Sequence, residues 1–174
     1  MPESLTVRDG DGDVVITLAD MKKYHGKDFW NGLAQAFRVM QLAFRELLDE
    51  GEVAERDRIR LVLGLSPPGI MDGFEYLTRA VTRNRVIIDA GVDKGPESYN
   101  GRYYFEVHYG KKMISMWLKE SILPDGYTAL ARQGFARLLD APTMAEWSKG
   151  KKLIADRVMA GPPEASFEIG EIRR

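Results

Sequence analysis

Between Asp28 and Glu50, apolar Leu33, Ala36, Phe37, Met40, Phe44, Leu47 and Leu48 recur at steps of three and four. That spacing places them on one face of a long helix, and a helix of this length needs a large surface to pack against. Asp28 reads as its N-cap and Gly51 as its stop. With 174 residues the chain can bury such a surface within one domain.

Around this helix the pattern is mixed. Val14 to Leu18 reads as a strand or as the approach to a helix, with Thr17 or Asp20 capping a short helix from Met21 to Tyr24. Arg60 to Leu65 is a short apolar run of the kind that forms a buried strand. The following Ser66-Pro67-Pro68-Gly69 starts a second helix, with Ile70, Phe74, Leu77 and Val81 on its apolar face and Asp72 in its first turn. Three strands are expected next, at 85–89, 102–109 and 112–118. The last two form a hairpin in which Tyr103, Phe105 and Val107 share one side and Tyr104, Glu106 and His108 the other. Two helices follow, at about 127–139 and from the capping box Thr143-Met144-Ala145-Glu146 to Gly161. The segment from Ala165 to Ile169 is extended, with Phe167 and Ile169 free to join a sheet edge or a partner. The expected class is α+β: a long N-terminal helix and C-terminal helices on a mostly antiparallel sheet. Residues 1–19 read as a leader or strand, 20–169 as the core and 170–174 as a tail.

Composition excludes several chemistries. There is no cysteine, which removes disulfides, thiolate nucleophiles and cysteine-held metals. With two histidines, any metal would rest mainly on Asp and Glu oxygens. Twenty-five basic and 26 acidic residues give a net charge of −1, so no global attraction to nucleic acid is expected. No apolar run is long enough to span a bilayer, and the N-terminus lacks the signal-peptide pattern, so a cytoplasmic location is expected. Asp9, Asp11 and Asp13 alternate as a calcium loop begins, but the glycine and glutamate that complete such a loop are missing. They read as a solvated turn.

The candidate site is Tyr24-His25-Gly26-Lys27-Asp28-Phe29-Trp30, a turn that feeds the long helix. Gly26 permits close backbone approach, the helix N-terminus favours an anion, and Lys27 adds positive charge. His25 either transfers a proton or binds a metal in this ligand-holding turn, or it simply caps or packs at the helix junction. Asp72 either stabilises its own helix or converges with His25 on one pocket. His108 either lines that pocket or faces solvent. Phe29, Trp30, Tyr103 and Phe105 read first as core, with Phe29 and Trp30 placed to wall a cavity.

These pieces resemble the core domain of the E-type subunit family of formylmethanofuran dehydrogenase. Its first motif is Tyr or Phe followed by His-Gly-His-x-Cys-Pro-Gly. Here Tyr24-His25-Gly26 matches, Lys27 stands at the second histidine, Phe29 at the cysteine and Trp30 at the proline. Its second motif, Cys-x-x-Asp-Ala, is matched at Asp72 by Gly69-Ile70-Met71-Asp72-Gly73, without the cysteine. The end of the domain resembles Val158 to Phe167. The resemblance implies a dimerising α+β core with a pocket at the His25-Gly26 turn. Lys27, Phe29 and Gly69 are poor replacements for metal ligands, so no metal is assigned and no cofactor is named.

Three functions are thus expected of the sequence. The first is a small-molecule pocket, suited to an anion, lined by His25, Lys27, Phe29, Trp30, Asp72 and His108, in a homodimer or an accessory to a larger redox enzyme. The second is an enzyme with His25 as general acid/base, oriented by Asp72, or as a metal ligand together with Asp72. The third is a homodimeric interaction module without a ligand. Neither nucleic acid nor a membrane is an expected partner.

Overall fold

A computed structural model describes residues 3–174. The chain opens with a hairpin, β1 (Ser4–Asp9) and β2 (Gly12–Thr17), and continues into α1 (Leu18–His25) and α2 (Trp30–Leu47). Short β3 (Ala54–Glu55) pairs parallel to β1 and completes a three-stranded sheet in the order β2-β1-β3. Then come β4 (Ile59–Leu63), α3 (Pro68–Thr78), β5 (Val86–Ile88), β6 (Tyr104–Tyr109) and β7 (Lys112–Leu118). After α4 (Tyr127–Phe135), α5 (Ala141–Ala160) and one-turn α6 (Pro163–Ser166), the chain ends in β8 (Phe167–Arg173). The larger sheet runs β5-β4-β6-β7-β8 and is antiparallel except where β5 joins β4. The fold is α+β.

Of the expected leader, Met1 and Pro2 lie outside the described residues, and Ser4 to Thr17 form the first hairpin. The aspartate turn joins β1 to β2, and its Asp9 is tied to Arg56 and Arg83, with Asp13 on Arg8. Residues 170–173 belong to edge strand β8, because the extended tail finds its partner in β7 of the same chain. Thr17 caps α1 through a reciprocal capping box with Asp20. At the start of α5 the cap is Asp140, whose carboxylate accepts from the Thr143 N–H at 2.9 Å. The expected pairing of Thr143 with Glu146 is displaced one turn upstream.

The long helix differs most from its sequence reading. It packs on α3, on α5 and on β6 and β7 at once. Leu33, Ala36, Phe37 and Met40 are buried as expected, but so are Ala34, Val39, Leu42 and Ala43 on other faces. Polar Asn31, Gln35 and Arg38 are buried with them. Arg38 answers its burial by donating to the carbonyls of Val158, Met159 and Gly161 at the end of α5. In the core Phe105 meets Phe74 and Phe167 at ring-centre distances of 6.0 and 5.9 Å. Each such ring contributes about 1.5–3 kcal/mol by leaving water.

Asp28 is not the cap of α2. Asp28 and Phe29 both hold left-handed backbone (φ 67° and 53°), and α2 begins only at Trp30. The helix stops at Leu47 because Leu48 is extended, three residues before Gly51. Likewise Asp72 is the fifth residue of α3, in its second turn rather than its first.

Candidate functional site

The site is built where α1, α2 and α3 meet. After His25 closes α1, Gly26 turns the chain at φ 86° while its N–H donates to the Lys22 carbonyl at 2.9 Å. Two left-handed non-glycine residues in a row, Asp28 and Phe29, follow after Lys27, and each costs of order 1–2 kcal/mol against ordinary backbone. The surroundings hold them. The Asp28 carboxylate accepts from the Phe29 N–H at 3.0 Å and pairs with the Lys151 ammonium of α5. That ammonium is buried and lies 4.1 Å over the Phe29 ring and 3.8 Å over Trp147. Burial pushes Lys151 below its ordinary value, against the opposing effect of Asp28. Trp30 donates to the Gly26 carbonyl at 3.2 Å and stacks under Lys22.

Glycines bring α3 against this turn. A Cβ on Gly32 would sit 2.5 Å from the Gly69 carbonyl carbon, and one on Gly69 would sit 2.3 Å from the Phe29 oxygen. The close crossing carries Asp72 onto His25. Its Oδ2 lies 2.6 Å from His25 Nδ1. The other ring nitrogen, Nε2, is buried and has no hydrogen-bond partner among the described residues. The imidazole also stands edge-on to Phe29 at 6.2 Å.

On the other side of Phe29 lies a narrow cavity of about 20 Å³, space for one or two water-sized groups. Asn31, Gly32 and Gln35 of α2 line it, with Pro67, Gly69 and Ile70 of the α3 entry. Phe29, Tyr99, Tyr103, Tyr127, Ala131 and Phe135 complete the wall. Phe135 stacks on Tyr99 at 3.9 Å and on Phe29 at 5.5 Å. Gln35 is fully buried, yet neither atom of its carboxamide has a partner. Asn31 donates to the Tyr127 hydroxyl at 3.2 Å, but its Oδ1 is also unpartnered. Burial raises Tyr127 to about 12, and pushes Tyr103 still higher, with Tyr127 and Tyr99 reinforcing it. Among the described residues, none that lines the cavity is charged.

The structure therefore brings His25 and Asp72 together and sets Phe29 between them and the cavity. Lys27 is exposed, and Trp30 covers the outside of the turn. Among the described residues nothing cationic lines the cavity, so the expectation of an anion finds no support in its wall. His108 is elsewhere: strand alternation puts it on the open face of the larger sheet, where it meets Glu106, which also accepts from the Tyr104 hydroxyl at 2.8 Å. That face carries its own groove with Arg60, Arg85 and Ile87.

The residues at this turn are poorly suited to hold a metal. Phe29 presents a ring, and the Phe29 oxygen fills the place a side chain at Gly69 would need. Among the described residues no three His, Asp or Glu side chains gather at one point. Compared with known proteins, the chain matches no family model and no curated protein. Among the described residues no helix is long and apolar enough to cross a membrane.

The sequence reading missed Asn31, Gln35, Tyr127, Ala131 and Phe135. A signal for the first two existed. Asn31, Gln35 and Arg38 form a polar stripe on a helix whose remaining faces are almost all small or apolar. Such a helix has no face to spare for water, so its polar stripe must find partners inside.

Proposed function

We propose that this protein binds a small molecule in the cavity beneath the Gly26–Phe29 turn, with the His25–Asp72 pair beside it. One observation carries the reading: three buried side-chain atoms, both of the Gln35 carboxamide and Oδ1 of Asn31, are unpartnered around one cavity. A buried amide without partners costs of order 1–3 kcal/mol per lost hydrogen bond, which a core would shed by an apolar substitution. A ligand that satisfies those atoms gives a reason to keep them. The left-handed Asp28–Phe29 turn is further support, since strained backbone held in place by its surroundings clusters at ligand clamps.

The test is native mass spectrometry of gently purified wild type and of Ala131→Leu, which fills the cavity from α4. The reading expects an organic species on the wild type that is absent from the variant. It is overturned if both carry the same species. It is also overturned if the wild type carries none and no member of a fragment library binds it in an Ala131-dependent way.

A second reading makes the protein an enzyme with His25 as general base. It is favoured by the 2.6 Å contact to Asp72 and by the bare Nε2, the arrangement in which a carboxylate orients an imidazole for proton transfer. His25→Asn would then leave binding intact and stop turnover of the bound species. Kinship with the E-type subunit family of formylmethanofuran dehydrogenase, a homodimer and an accessory role beside a redox enzyme belong to the same proposal. Their support is the Tyr24-His25-Gly26 turn at the mouth of α2 and the meeting of His25 with Asp72.

A further inference from the structure

We infer that the cavity between α2, α3 and α4 selects a neutral ligand with an amide-type edge, a carbonyl beside an N–H, carried on a small or planar body. This rests on the pocket reading above and names its ligand class. Three features converge. First, among the described residues the wall holds no Asp, Glu, Lys, Arg or His, so an ion entering it would lose its hydration with no counter-charge. Second, Gln35 offers an N–H and a carbonyl side by side, both unpartnered. Whichever way the carboxamide is turned, its complement is a ligand edge with one acceptor and one donor at the same spacing. Asn31 Oδ1 adds an acceptor for a second ligand N–H, as a primary amide supplies. Third, the remaining walls are aromatic. Phe29, Tyr99 and Phe135, stacked on one another, line one part of the cavity, and the Tyr103 and Tyr127 phenols line the same space.

The closed cavity is smaller than a ring-bearing amide, so such a ligand enters by parting Phe29 from Phe135. A small amide needs less opening. The waters that fit the closed space would be displaced by groups that reproduce their hydrogen bonds.

Isosteric probes separate charge from shape. Acetamide, acetate and acetamidine share one outline, and benzamide, benzoate and benzamidine share a larger one. Each is titrated into the wild type while the side-chain N–H₂ signals of Asn31 and Gln35 are followed by NMR. The inference expects the amides to shift both signals, with the anion and the cation at least about tenfold weaker. Gln35→Met should abolish the shift of the remaining Asn31 reporter and Ala131→Leu the shifts of both, and the second variant keeps the test valid if the first does not fold. A charged probe that binds as well as its amide, and is lost in Ala131→Leu, overturns the amide class while leaving the pocket standing. An amide whose binding survives both variants also overturns the class. Six probes that move neither signal at their solubility limits overturn the class and count against the pocket together.

Discussion

Replacing Gln35 by Met should make the ligand-free protein more stable, although Gln35 is fully buried at the centre of the fold. The two side chains have similar volume, so little cavity or overpacking is introduced. What changes is two polar atoms with no partner. Each unmade hydrogen bond in a dry interior costs about 1–3 kcal/mol. The cavity is large enough for water to recover part of that, so the net gain should be about 1–3 kcal/mol. For a chain of this length each kcal/mol moves Tm by about 2–4 °C, which puts the expected rise at about 2–12 °C. Urea unfolding provides the second measure: the midpoint should rise with m unchanged. The same substitution should remove ligand binding, a trade of stability against function that is common at binding sites. If Gln35→Met instead lost more than about 1 kcal/mol, Gln35 would be satisfied by the protein itself and the case for the pocket would fail.

Other substitutions test the frame around the site. Gly69→Ala should cost about 2 kcal/mol or more in urea unfolding, because its methyl would meet the Phe29 oxygen and push the left-handed turn off α3. Asp72→Asn removes the charged acceptor from a buried imidazole nitrogen and should cost about 1–2 kcal/mol, read the same way. Asp9 is held down to about 2, first by hydrogen bonds from Arg83 and Arg56. Its folded value lies below its unfolded one, so its contribution is present above about pH 4 and fades as pH falls through about 2. Asp9→Asn should therefore lower stability by about 1 kcal/mol near neutral pH, a figure reduced for solvent screening, and the difference from wild type should vanish toward pH 2.

The strands and helices were largely legible in the sequence because period-2 and period-3.6 patterns record which faces are buried. The alternation of Tyr104, Phe105, Glu106, Val107 and His108 reads directly onto the sheet. Boundaries were less legible where the backbone leaves ordinary regions. Asp28 is a good N-cap by residue type, but here its carboxylate is committed to the Phe29 N–H and to Lys151, a residue 123 positions later. No local pattern records such a partner. The convergence of His25 and Asp72 was readable only as one of two alternatives, since it depends on how closely α2 and α3 cross, and that depends on Gly32 and Gly69 facing each other. Asn31 and Gln35 stand out in the sequence as polar positions on an otherwise small and apolar helix, but no local pattern records the cavity beside them. It is formed by the placement of α3 and α4 against α2.

A crystal structure at high resolution of the protein grown with acetamide would test the central claim most directly. The account predicts a non-protein group in the cavity, bridging the Gln35 carboxamide and Asn31 Oδ1 between the Phe29 and Phe135 rings. A Gln35 carboxamide hydrogen-bonded to protein groups, with the cavity closed by protein atoms, would contradict it.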